Sequence, residues 1–81
     1  MADIREQLFE DGRWEGRLHT TPTQGEDAAD AVADAVADLC RSVPQGCYPA
    51  RVFLRWERHS RNPRRSDSRR IFLILHAEPE L

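Results

Sequence analysis

Only one segment of this chain is unmistakably a helix, and one helix can shield only one face of a sheet. Residues 28–43 are rich in alanine, the residue that loses least entropy in a helix. On a wheel at about 100° per residue, Ala28, Ala29, Val32, Val36, Leu39, Cys40 and Val43 fall on one side, the side expected to be buried. Asp27, Asp30, Asp34 and Asp38 gather opposite, with Arg41 among them. Thr23 followed by Glu26 fits a capping box, and Glu26 and Asp27 suit the positive end of the helix dipole. Pro44 and Gly46 end the segment.

The rest of the chain reads as strands. Asp11-Gly12 between two half-apolar runs is a strong hairpin signal. A two-residue turn there puts Glu10 opposite Arg13, Phe9 beside Trp14, Leu8 opposite Glu15 and Glu6 opposite Arg17, a register favoured by opposite charges and an aromatic pair. The Ile4 and Leu8 spacing also permits a short helix over residues 4–9, so the first strand has two readings. Residues 50–59 and 70–77 are rich in branched and aromatic side chains and form a second antiparallel hairpin, with residues 60–69 as a flexible basic tip. Pairing these strands so that residue numbers sum to 129 sets Val52, Leu54 and Trp56 beside Ala77, Leu75 and Leu73 on the face meeting the helix, and Arg51 opposite Glu78 on the other. The expected fold is α+β: a four-stranded antiparallel sheet in ββαββ chain order, one helix on one face, residues 1–81 forming a single domain.

Composition narrows the class. A chain of 81 residues builds one modest core, and 40% hydrophobic with 32% charged residues is ordinary for a globular domain. No apolar run approaches the roughly 20 residues needed to span a bilayer. The first residues do not read as a signal peptide, so a cytoplasmic protein is expected. Cys40 and Cys47 are too few for a secreted disulfide framework. Core packing explains Cys40, and a bridge between the two remains open. All twelve basic residues are arginine, which biased codon usage in a GC-rich genome explains more simply than selection for a guanidinium fork that grips phosphates or carboxylates.

Charge is divided along the chain. Residues 1–47 carry ten acids against four arginines, and residues 48–81 carry eight arginines against four acids. Three surfaces are therefore candidates. The ridge Asp27, Asp30, Asp34, Asp38 spaces carboxylates about 5 to 6 Å apart and can imitate a nucleic-acid backbone. The cluster Arg55, Arg58, Arg61, Arg64, Arg65, Arg69, Arg70 is the alternative, a nucleic-acid-binding hairpin opposed by the net charge of −2 and a pI near 5.9. Leu8, Phe53, Phe72 and Ile74 fall on the sheet face that no helix covers, so that face is expected to associate, as a homodimer or with a partner. Phe53 and Phe72 covering each other beneath arginine stems is the simpler explanation of the same residues.

Cys40, Cys47, His59 and His76 have no zinc-ligand spacing, and neither a phosphate loop nor a nucleophile elbow is present. No metal, cofactor or catalytic activity is expected. Glu57 near His59 reads as surface pairing. Thr21-Pro22-Thr23 leading into Glu26-Asp27-Ala28-Ala29, with a strand before, then a helix and two long strands, resembles the chain plan of the dodecins. That resemblance implies a small oligomer holding a flavin-like ligand, although the tryptophan of the dodecin flavin pocket has no match, Trp56 being assigned to the core face. The leading expectation is a non-enzymatic protein acting through protein–protein contacts. By analogy with phage-encoded inhibitors, including those acting on CRISPR complexes, it would present the acidic helix to a basic nucleic-acid-binding groove.

Overall fold

The computed structural model describes residues 3–22, 27–58 and 69–80. Strands β1 (Arg5–Leu8) and β2 (Trp14–Thr20), helix α1 (Ala28–Ser42), and strands β3 (Cys47–Arg58) and β4 (Arg69–Pro79) follow one another along the chain. The four strands form one antiparallel sheet in the order β1-β2-β4-β3. This is the small α+β fold expected, and β1 is a strand rather than a helix.

The first hairpin closes differently from its Asp-Gly signature. A two-residue turn of that kind needs both central residues at positive φ, and among the described residues only Gly12 and Gly46 adopt it, Gly12 at 92°. Asp11 instead keeps negative φ and accepts the Arg13 backbone N–H at 3.1 Å, while Gly12 N–H donates to the Phe9 carbonyl and Phe9 N–H to that of Arg13. The loop is one residue longer than expected. Leu8 consequently pairs with Trp14, Gln7 with Glu15, Glu6 with Gly16 and Arg5 with Arg17. A one-residue slip moves every β1 side chain to the other face, so Leu8 lies on the helix side and not on the open face.

The second hairpin is shifted by two residues, which preserves the faces. Val52 pairs with Leu75, Leu54 with Leu73 and Trp56 with Ile71, so numbers sum to 127 rather than 129. This register sets Ile71 opposite Trp56, where the expected one would set it opposite Arg58. Arg51 faces His76, and Glu78 faces Tyr48, whose hydroxyl donates to it at 3.0 Å. That bond and the carboxylate's charge raise the Tyr48 pKa. The ladder is irregular between Pro49 and Arg51, beside the one residue here that cannot donate a backbone hydrogen bond.

Helix α1 packs on β2 and β4, the two central strands. A helix with side chains is about 10–12 Å across and strands lie about 4.8 Å apart, so one helix covers about two strands. The core is Trp14 and Leu18 from β2, Ala31, Ala35 and Leu39 from α1, and Ile71, Leu73, Leu75 and Ala77 from β4. The helix presents Ala31 and Ala35 to the sheet, flanked by half-buried Val32 and Val36, so its buried stripe is rotated from the expected one and Cys40 is exposed. Small alanines permit close approach of helix and sheet, which a wheel scored by hydrophobicity alone does not weigh. The outer strands contribute little to this contact, although Cys47 at the start of β3 packs against the core. On the helix side, Val52, Leu54 and Trp56 of β3 remain 41%, 46% and 40% exposed and Leu8 of β1 67%, contrary to the expectation that the helix covers β3.

The N-terminus of α1 is capped by Asp27, whose Oδ1 accepts the Ala29 N–H at 3.1 Å. The expected capping box at Thr23 and Glu26 lies outside the described residues. Asp27→Ala should destabilise the protein by about 0.5–2 kcal/mol, read as a lowered unfolding midpoint; an unchanged midpoint would show that the cap contributes nothing.

Candidate functional site

The sheet separates charge into layers. On the helix layer the four ridge aspartates have unequal roles. Asp27 caps its own helix, Asp38 is half-buried and ion-paired to Arg41, and only Asp30 and Asp34 stand fully exposed outside such contacts. The ridge is shorter than its spacing suggests.

On the opposite side, the open sheet face gathers side chains that are far apart in sequence. Strand β2 contributes Glu15, Arg17 and His19, which lie across from His76, Ile74 and Phe72 of β4. Strand β3 contributes Arg51, Phe53, Arg55 and Glu57, across from His76, Ile74, Phe72 and Arg70. Arg5 enters from β1 opposite Arg17. Part of this face, with Arg5, Arg17, His19, Phe53, Arg55, Arg70, Phe72 and Ile74 among the lining, forms an open groove of about 1300 Å³, where Asp3 is the one acid among the described lining residues. Phe53, Phe72 and Ile74 of the expected association face do come together here; Leu8 does not.

The rings are dressed by cations. The Arg55 guanidinium lies 5.2 Å from the Phe72 ring centre and that of Arg51 lies 5.8 Å from Phe53. His19 tilts against Phe72 at 5.7 Å, and His76 meets Phe53 edge-on at 5.3 Å. The two phenylalanines are thus covered by arginine and histidine in place of each other. Arg55 also reaches Glu57 at 3.3 Å.

At one side of the groove, Glu15 is held between Arg17 Nε at 3.0 Å and His76 Nε2 at 3.1 Å. Burial acts to raise the Glu15 pKa, but the Arg17 hydrogen bond and charge, joined by His76, outweigh it and lower the net value. These contacts favour the ionised form of Glu15, which in turn holds Arg17 and His76 in place on the open face.

Of the basic cluster read from sequence, Arg55 and Arg70 line the groove, and Arg58 and Arg69 are paired positions at the end of the β3–β4 ladder. Arg61, Arg64, Arg65 and most of the tip, residues 60–69, lie outside the described residues, as does His59. Arg5, Arg17 and His19 were not among the sequence candidates. Their alternate spacing in the first hairpin was visible, but only the β2–β4 pairing brings them beside Phe72 and Ile74.

Among the described residues no group of three or more His, Cys, Asp or Glu is placed to hold a metal ion, and no helix is long and apolar enough to cross a membrane. Both cysteines are free, Cys40 exposed and Cys47 half-buried with its thiol 3.5 Å from the Gly12 carbonyl. No protein-family model, curated protein or solved structure matches this chain.

Proposed function

We propose that this protein is a non-catalytic binding module whose open sheet face takes single-stranded nucleic acid. The observation that carries the reading is the meeting of Arg5, Arg17, Arg55, Arg70 and His19 around Phe53 and Phe72 in one groove. Arginines at a groove rim neutralise phosphates, and aromatic rings or guanidinium planes on its floor stack bases without regard to sequence. The net charge of −2 is no obstacle, because the helix aspartates responsible for much of it are carried on the opposite face of the sheet.

The protein–protein reading, an inhibitor docking Asp27, Asp30, Asp34 and Asp38 on a basic groove, draws less support because Asp27 and Asp38 are engaged within the helix itself. Free thiols at Cys40 and Cys47 suit a reducing, cytoplasmic setting.

Titration of labelled oligo-dT and oligo-U at low salt tests the proposal. The logarithm of the binding constant should fall linearly with the logarithm of salt concentration. Arg5→Gln with Arg17→Gln should flatten that slope by about 1.4, at about 0.7 per phosphate contact on a single strand. Phe53→Ala should weaken binding roughly 5- to 150-fold if one base stacks there. No binding of either oligonucleotide at low salt would reject the reading, and capture of a basic protein abolished by Asp30→Asn with Asp34→Asn would favour the acidic helix instead.

A further inference from the structure

Strand β3 is the outermost strand, and nothing among the described residues lies on its free edge. Long apolar edges promote pairing with another chain, and proteins ordinarily blunt them with proline, bulges, inward charges or a covering helix. Here proline and irregular pairing are confined to the Pro49 end, and the charged side chains of the strand, Arg51, Arg55 and Glu57, are of both signs and so can be paired as well as repelled. From Arg51 to Arg58 the pairing with β4 is regular, with Val52, Leu54 and Trp56 exposed on one face and Phe53, 45% exposed, on the other.

The segment is also complementary to itself. A two-fold axis perpendicular to a sheet pairs antiparallel copies so that residue numbers sum to an even constant. With the axis at Leu54 the sum is 108. Arg51 then faces Glu57 of the second copy, Val52 faces Trp56, Phe53 faces Arg55 and Leu54 meets its own mate. Each pair recurs by symmetry, giving two ion pairs, two apolar pairs and two cation–aromatic pairs across a single strand junction. Moving the axis one residue either way sets Arg51 against Arg55, or Arg55 against itself, and places like charges face to face.

We infer that residues 51–57 of β3 pair antiparallel with the same segment of a second copy, about a two-fold axis at Leu54. The pairing joins two four-stranded sheets into one of eight strands. Both helices lie on the same side, and the apolar rows of Val52, Leu54 and Trp56 meet in the space between them, where neither helix reaches within one chain. The two open faces become one continuous surface. This inference does not depend on nucleic-acid binding and survives if that proposal fails.

Sedimentation equilibrium of the full chain across micromolar concentrations provides the test. The wild-type protein should be dimeric. Arg51→Glu should raise the dissociation constant about tenfold or more, because two attractions become two repulsions, and adding Glu57→Arg to it should restore the dimer by reversing both charges. Leu54→Lys should give a monomer that keeps its circular dichroism, since Leu54 is nearly half exposed within one chain and lies outside the core. A protein monomeric at 100 µM, a figure on the order of the weak end of specific association, would overturn the inference. So would a dimer indifferent to Arg51→Glu and Leu54→Lys, which would place association on the face of Phe53 and Phe72, or a charge reversal that fails to rescue.

Discussion

Leu75→Ala should cost about 2–5 kcal/mol, the range for removing a buried leucine side chain, and lower the melting temperature by roughly 8–40 °C at about 4–8 °C per kcal/mol. Leu75 is fully buried on the central strand, between Gly16 of β2 and Val52 of β3. A chain of this length has a total stability of about 4–12 kcal/mol at 0.05–0.15 kcal/mol per residue, so one truncation removes a large share of it. Val52→Ala is the contrast. Val52 faces the same side of the sheet in the adjacent strand yet is 41% exposed, and in the monomer its truncation should cost less than about 1 kcal/mol. Chemical denaturation of both variants in a Leu54→Lys background, where the protein is monomeric, decides the matter. Equal losses would mean that the helix covers β3 and that the placement of α1 over β2 and β4 is wrong.

Gly16→Val should destabilise by about 3–5 kcal/mol, comparable to losing the buried tryptophan ring that it displaces. A Cβ at residue 16 would lie 2.3 Å from Cη2 of Trp14, with two more ring carbons at 2.9 and 3.0 Å. The indole therefore lies across the bare backbone of Gly16, two residues along the same strand, and both are buried. Strand propensity alone gives the opposite sign, because valine favours strands and glycine weakens them. Denaturation with tryptophan fluorescence, in a Trp56→Phe background so that Trp14 alone reports, measures both parts of the effect. Stability should fall and the Trp14 emission should move to the red; a stabilised protein with unmoved emission would show that the ring does not occupy this space.

The two variants mark where sequence reading succeeds and where it stops. Alternation in residues 50–57 and 70–77 assigned each side chain of β3 and β4 to its face, and the assignment survived a two-residue change of register because the period of a strand is two. The same arithmetic failed for β1. There a single extra loop residue, decided by whether Asp11 takes positive φ, sent Leu8 to the opposite side. The helix was legible in extent to within a residue, but its inward stripe was not, since alanines surround the wheel and their burial depends on what lies beneath. The partnership of Trp14 with Gly16 depended on a conformation that spacing does not specify. For the candidate site, Phe53, Phe72, Ile74 and two groove arginines were legible in the sequence, and Arg5, Arg17 and His19 were missed because strand adjacency is a long-range property.

By itself the chain determined local matters: one amphipathic helix, strands with two distinct faces, an acidic half and an arginine-rich half. These follow from propensity and periodicity, which act over a few residues. Tertiary structure decided which strands became central. By placing β2 beside β4, the fold sheltered Trp14, Leu18, Leu73 and Leu75 under a helix wide enough for two strands and left β3 bare at the edge. It also brought arginines from both hairpins to one face. Such outcomes depend on contacts between residues up to about sixty positions apart, whose free energy is gained only when the whole sheet closes.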